Sequence, residues 1–133
     1  MNRPMARVYA AALLAATLTS CSSSNPSAPT PTLTTETFIG TLSPGQKVVQ
    51  PFTVKAAGTV TTTLAGLAGA DYIGIGNGTW DGTICTVGVH AETVVVGNYF
   101  LTDVPGAQSL CILVYDVGRV TTTATYTVTV SHP

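Results

Sequence analysis

The stretch Thr121 to Val130 of this 133-residue chain reads Thr-Thr-Thr-Ala-Thr-Tyr-Thr-Val-Thr-Val, and it constrains the fold more than any other segment. Ala124, Tyr126, Val128 and Val130 alternate with Thr123, Thr125, Thr127 and Thr129. Successive strand side chains point to opposite faces, so this period puts every apolar residue on one side and every threonine on the other. A helix would scatter the same letters around its circumference. An antiparallel sheet with one wet face is the arrangement that rewards the pattern.

The alternation recurs upstream. Val48, Phe52 and Val54 share a face in Lys47 to Val54, and Val60 and Leu64 oppose Thr59, Thr61 and Thr63. Turn signals separate these runs: Ser43-Pro44-Gly45, Ala57-Gly58, Asn77-Gly78, Asp81-Gly82, Gly97-Asn98, Pro105-Gly106 and Val117-Gly118. Their spacing is mostly close to the roughly 8–12 residues of a sandwich. Residues 36–133 are therefore expected to form one all-β domain, an antiparallel β-sandwich of about eight strands. The strands are expected near 37–42, 47–54, 58–65, 71–76, 83–89, 92–96, 98–103 (with 109–116 a candidate ninth run) and 119–131.

The N-terminus carries an address. Arg3 and Arg7 precede an apolar run from Val8 to Leu18. The run is shorter than the roughly 20 residues a membrane-spanning helix needs, and its basic-then-apolar order is that of a secretory signal. It ends in Leu18-Thr19-Ser20-Cys21, which resembles the lipobox of bacterial lipoproteins. That resemblance implies a signal peptide over 1–20, cleavage before Cys21, and acylation of the Cys21 thiol and its new amino group. A single acyl chain holds a protein to a bilayer only marginally, whereas several hold it firmly. Ser22 in place of Asp implies, by the same likeness, a bacterial envelope lipoprotein of the outer membrane. Residues 21–35, rich in Ser, Thr and Pro, show no apolar periodicity and are expected to be a disordered tether.

With the Cys21 thiol taken by the lipid, Cys85 and Cys111 are the thiols that remain. In an exported small domain an even pair closes a disulfide, and this loop length corresponds to roughly 3–4 kcal/mol of stabilisation. The mature part carries Lys47, Lys55 and Arg119 against Glu36, Asp71, Asp81, Glu92, Asp103 and Asp116, a balance of −3. Nothing there can neutralise a phosphate backbone, so no nucleic-acid partner is expected. Few lysines guard the strand edges, which favours pairing with another chain.

Five sets of residues resemble the bacterial pre-peptidase C-terminal-type β-sandwich domain. They are Phe52-Thr53-Val54, Ala56 to Leu64, Ile75 to Cys85, Val114 to Gly118 and Tyr126 to Val130. The likeness runs over most of residues 38–131. It implies a jelly-roll-like, non-catalytic accessory module of secreted peptidases and other surface proteins. The function so implied is that of a structural or protein-interaction module, membrane-held by its N-terminal lipid.

The residues themselves suggest no enzyme. A triad needs nucleophile, base and orienting carboxylate together. The histidines are His90, at a strand end, and His132, in a terminus expected to fray, and there is no Gly-x-Ser-x-Gly elbow. Gly74-Ile75-Gly76-Asn77-Gly78 lacks the Lys of a phosphate loop and is expected to be a tight loop whose glycines take φ > 0. No cofactor is expected, with calcium the one metal the letters allow: Asp71, Asn77 and Asp81 could offer hard oxygen ligands. Turn chemistry accounts for the same residues without a metal. Trp80, with neighbouring Tyr72, could stack on a sugar ring, which makes a carbohydrate-binding module the alternative function; Trp80 could equally cover the edge of the core.

Overall fold

A computed structural model describes residues 30–133, so Cys21, the signal and most of the tether lie outside the described residues. The eight strands are β1 (Thr34–Leu42), β2 (Lys47–Val54), β3 (Gly58–Ala68), β4 (Ile73–Trp80), β5 (Cys85–Val94), β6 (Tyr99–Val104), β7 (Gln108–Tyr115) and β8 (Ala124–His132). They form two antiparallel four-stranded sheets, ordered β1-β8-β3-β6 and β2-β7-β4-β5. This interleaving, in which each strand's successor crosses to the other sheet except between β4 and β5, is that of a jelly roll. The expected all-β sandwich is the fold the chain adopts.

The terminal alternation lands as its parity requires. Ala124, Tyr126, Val128 and Val130 are buried, while Thr125 is exposed and Thr127 and Thr129 are half-buried. β8 is a central strand, paired with β1 on one side and β3 on the other. Its outward threonines therefore lie between neighbours, Thr129 beside Thr37 and Thr63. Between the sheets, Leu42, Phe52, Val54, Leu64, Ile75, Ile112, Val114 and the β8 residues make one core. At about 1.5–3 kcal/mol for each fully buried aliphatic or aromatic side chain, that core is the main source of stability.

Several expected boundaries move. β1 begins at Thr34, two residues before the expected domain start, and β8 begins at Ala124. The runs at 83–89 and 92–96 are one strand, β5, and 109–116 is a separate strand, β7. β5 hides its unity behind two register shifts against β4, between Ile73 and Ile75 and between Asn77 and Gly78. Each bulge flips the face on which the next residue lies, which breaks the alternation a reader counts.

The largest correction concerns residues 74–78. They are not a loop with φ > 0 but the middle of β4, and Asn77-Gly78 is not a turn. The glycines are there for close approach. A Cβ on Gly74 would fall 2.3 Å from the Tyr115 ring, one on Gly76 2.7 Å from Val87 Cγ1, and one on Gly78 2.2 Å from the Thr86 carbonyl oxygen. β5 presses its backbone onto β4 at Gly78, where no side chain fits.

The Cys85–Cys111 disulfide lies in the same sheet. β5 and β7 flank β4 in the sheet order, and the bridge joins them across it with the two Cα atoms 5.8 Å apart.

Candidate functional site

Along β4 the inward positions read Ile73, Ile75 and then Asn77, an amide where the pattern would place a third apolar side chain. Burying an amide is costly unless it is hydrogen-bonded. Asn77 is 7% exposed and crosses the sandwich: Nδ2 donates to Thr62 Oγ1 on β3 at 3.0 Å and to Thr102 Oγ1 on β6 at 3.2 Å. Thr62 is itself fully buried, on the core face of β3 between Val60 and Leu64. Asn77 Oδ1 has no partner. Both partners are hydroxyls, which donate as well as accept, so exchanging the amide's nitrogen and oxygen would still leave one of them unpaired.

Around this amide the sandwich opens into a cavity of about 310 Å³ between edge strands β5 and β6. Phe52, Val60, Val104 and Leu110 give it apolar walls, and Asp103, Gln108 and Thr86 are polar residues of its lining. Gly88, on the β5 segment whose register shifts opposite Asn77 and Gly78, lines it too. Asp103 also accepts a hydrogen bond from Thr59 Oγ1 at 2.7 Å. A second depression of about 280 Å³ is lined by Lys47, His90, Glu92 and Tyr115. Burial first, then the charge of Glu92, pushes the Tyr115 hydroxyl above its ordinary value.

The candidate calcium ligands are not brought together. Asp71 precedes β4, Asp81 follows it, and Asn77 points between the sheets. The Asp81 carboxylate instead accepts from the backbone N–H of Thr83 and Ile84, each at 2.7 Å, and these bonds lower its pKa. That is the Asx-turn reading of the same letter. Among the described residues no cluster of three or more His, Cys, Asp or Glu gathers at metal-ligand distance.

Tyr72 and Trp80 are separated as well, at opposite ends of β4 and so roughly 25 Å apart at strand rise. Tyr72 carries the Arg119 guanidinium over its ring, 5.0 Å from the centroid, and accepts from Arg119 Nε. Trp80 is half-buried and pairs with Cys85 beside the disulfide.

His132 is the other surprise. Far from fraying, it is 2% exposed, packed 5.5 Å from the Phe52 ring, with Nε2 2.9 Å from Glu36 Oε1. His90 lies exposed in mid-strand opposite Gly76. No sequence motif singles out Thr62 or Thr102 as partners of Asn77. Parity was the signal that could have found them, since Thr62 shares a face with Val60 and Leu64.

Exposed apolar side chains stand on both edge strands of the first sheet, Ile39 at 74% on β1 and a pair on β6. Tyr99 is 62% and Leu101 60% exposed, with Val95 and Val96 exposed in the preceding turn. β6 ends its sheet, and neither β5 nor β6 carries a Lys or Arg. Compared with known proteins, the chain matches no family model and no curated sequence.

Proposed function

We propose that the domain is a non-catalytic interaction module of the pre-peptidase C-terminal type, lipid-anchored through Cys21 to the bacterial envelope, that docks another envelope protein along β6. The observation that carries the reading is the β6 edge, where Tyr99 and Leu101 stand exposed beside an open row of backbone groups without a basic residue. An unguarded edge of this kind is a template for an added strand, and exposed aromatic and aliphatic side chains supply the contact area. The partner is an extended segment of a second protein, apolar at alternate positions.

Tyr99→Lys with Leu101→Lys puts two charges on this edge. The pair is expected to abolish the complex recovered by crosslinking intact cells and to leave the thermal unfolding midpoint nearly unchanged. Trp80→Ala should leave that complex intact. Glycan binding that vanishes in Trp80→Ala, with no protein complex in the parent, would replace this reading with the carbohydrate-binding one.

A further inference from the structure

We propose a second, separate site: the depression on the outer face of the β2-β7-β4-β5 sheet binds one neutral, equatorially substituted pyranose ring of a glycan, laid flat on Tyr115. The site lies on the sheet that does not contain β6, so it does not depend on Tyr99 or Leu101.

The platform follows from parity and from two glycines. Ile73, Ile75 and Val114 are fully buried, so Gly74, Gly76, Leu113 and Tyr115 face away from the core. Tyr115 stands opposite Gly74, and Leu113 opposite Gly76. A Cβ on Gly74 would fall 2.3, 2.4 and 2.7 Å from Cζ, Cε2 and Cε1 of Tyr115, with no other atom nearer. An edge-on ring would put its hydroxyl oxygen nearest, so the ring lies face-down over Gly74. One face rests on the β4 backbone, and the half-buried residue turns the other into the depression of about 280 Å³.

Hydrogen-bonding groups surround this platform. Lys47 on β2 and His90 and Glu92 on β5 are exposed and line the depression together with Val87 and Leu113. Among the described residues none of those three takes part in an ion pair, which leaves their polar atoms to a ligand. Burial, and then the charge of Glu92, keeps the Tyr115 phenol protonated and able to donate.

The ligand class follows from that chemistry. An anion gains Lys47 but meets Glu92, and a cation does the reverse. A zwitterion pairs with both, but exposed ion pairs contribute little in water. A pyranose uses every group present. Its C–H bonds point to the ring faces and meet the negative face of an aromatic, while its hydroxyls splay around the edge and both donate and accept. At about 280 Å³ the depression falls just short of the roughly 300 Å³ at which drug-sized pockets begin, which suits one ring and not a longer chain.

The test uses methyl β-D-glucopyranoside, with sorbitol as a polyol that has no ring face. Backbone amide NMR of the purified protein should show saturable shifts at Gly74, Gly76 and Leu113 with the glucoside and none with sorbitol. Tyr115→Ala should weaken binding about tenfold, whereas Tyr115→Phe, which keeps the ring, should bind nearly as well as the parent. Trp80→Ala should leave the affinity unchanged, which separates this site from one built on Trp80. If Tyr115→Ala does not fold, Glu92→Ala, made at an exposed side chain, should weaken binding about fivefold. No saturable shift, an equal response to sorbitol, or unchanged affinity in a folded Tyr115→Ala or in Glu92→Ala would overturn the proposal.

Discussion

Asn77 donates from β4 to the Thr62 hydroxyl on β3 at 3.0 Å, a buried polar bond that joins the two sheets through a largely apolar core. Neither residue is tolerable in the core alone. Asn77→Ala strands the Thr62 hydroxyl and should cost about 1–3 kcal/mol in urea unfolding. Replacing both, with Asn77→Leu and Thr62→Val, should recover much of that loss, because two apolar groups of similar shape leave nothing unpaired. Additive losses in the double variant would show that the pair is not coupled.

Asp116 sets the acid response. Its Oδ2 accepts from Gly45 N at 2.8 Å, and its Oδ1 from the N–H groups of Gly118, Arg119 and Val120, tying the β1–β2 turn to the β7–β8 loop. These bonds, Gly45's first, lower its pKa from 3.8 to about 2. A carboxylate with a depressed folded-state pKa contributes stability above its unfolded value, and that contribution is lost as pH falls through the folded one. Stability should therefore drop between pH 3.8 and about 2. Asp116→Asn should be less stable at neutral pH and should flatten that acid limb, as read from urea midpoints at each pH. An unchanged limb would assign acid sensitivity to other groups.

Gly78→Ala should destabilise strongly although alanine ordinarily suits a strand interior better than glycine does. The added Cβ would meet the Thr86 carbonyl at 2.2 Å, and backbone cannot swing aside as a side chain can. Gly88→Ala, with nothing within 4 Å of the new atom, is the control and should be near neutral. Equal melting temperatures for the two would contradict the close packing of β5 on β4.

Reducing the Cys85–Cys111 bridge should lower stability by about 2–4 kcal/mol, seen as a fall in the urea midpoint with reductant. No shift would mean that the β4 ladder alone holds β5 against its neighbours.

Parity made the ends of the domain readable and bulges hid its middle. In β8, every second residue from Ala124 to Val130 is apolar and no bulge intervenes, so the buried face could be named from the letters. In β4, three alternate glycines imitate a loop, because glycine serves both turns and close approach, and only Tyr115, Val87 and Thr86 across the sheet decide which. Asn77 carries the letters of a turn residue and of a metal ligand for the same reason. Its role depends on Thr62 and Thr102, 15 and 25 residues away on other strands, and no local window contains them. His132 shows the same limit, since Phe52 and Glu36 reach it only through the folded sandwich.

Docking along β6 is tested most directly by photocrosslinking from single positions in intact cells. A photoreactive residue at position 99 or 101, on the outward face of β6, should give an adduct with one and the same partner protein. The same residue at position 37 or 39, on the outward face of the opposite edge strand β1, should give none. Adducts from β1 and β6 alike, or from neither, would contradict the assignment of β6 as the docking edge.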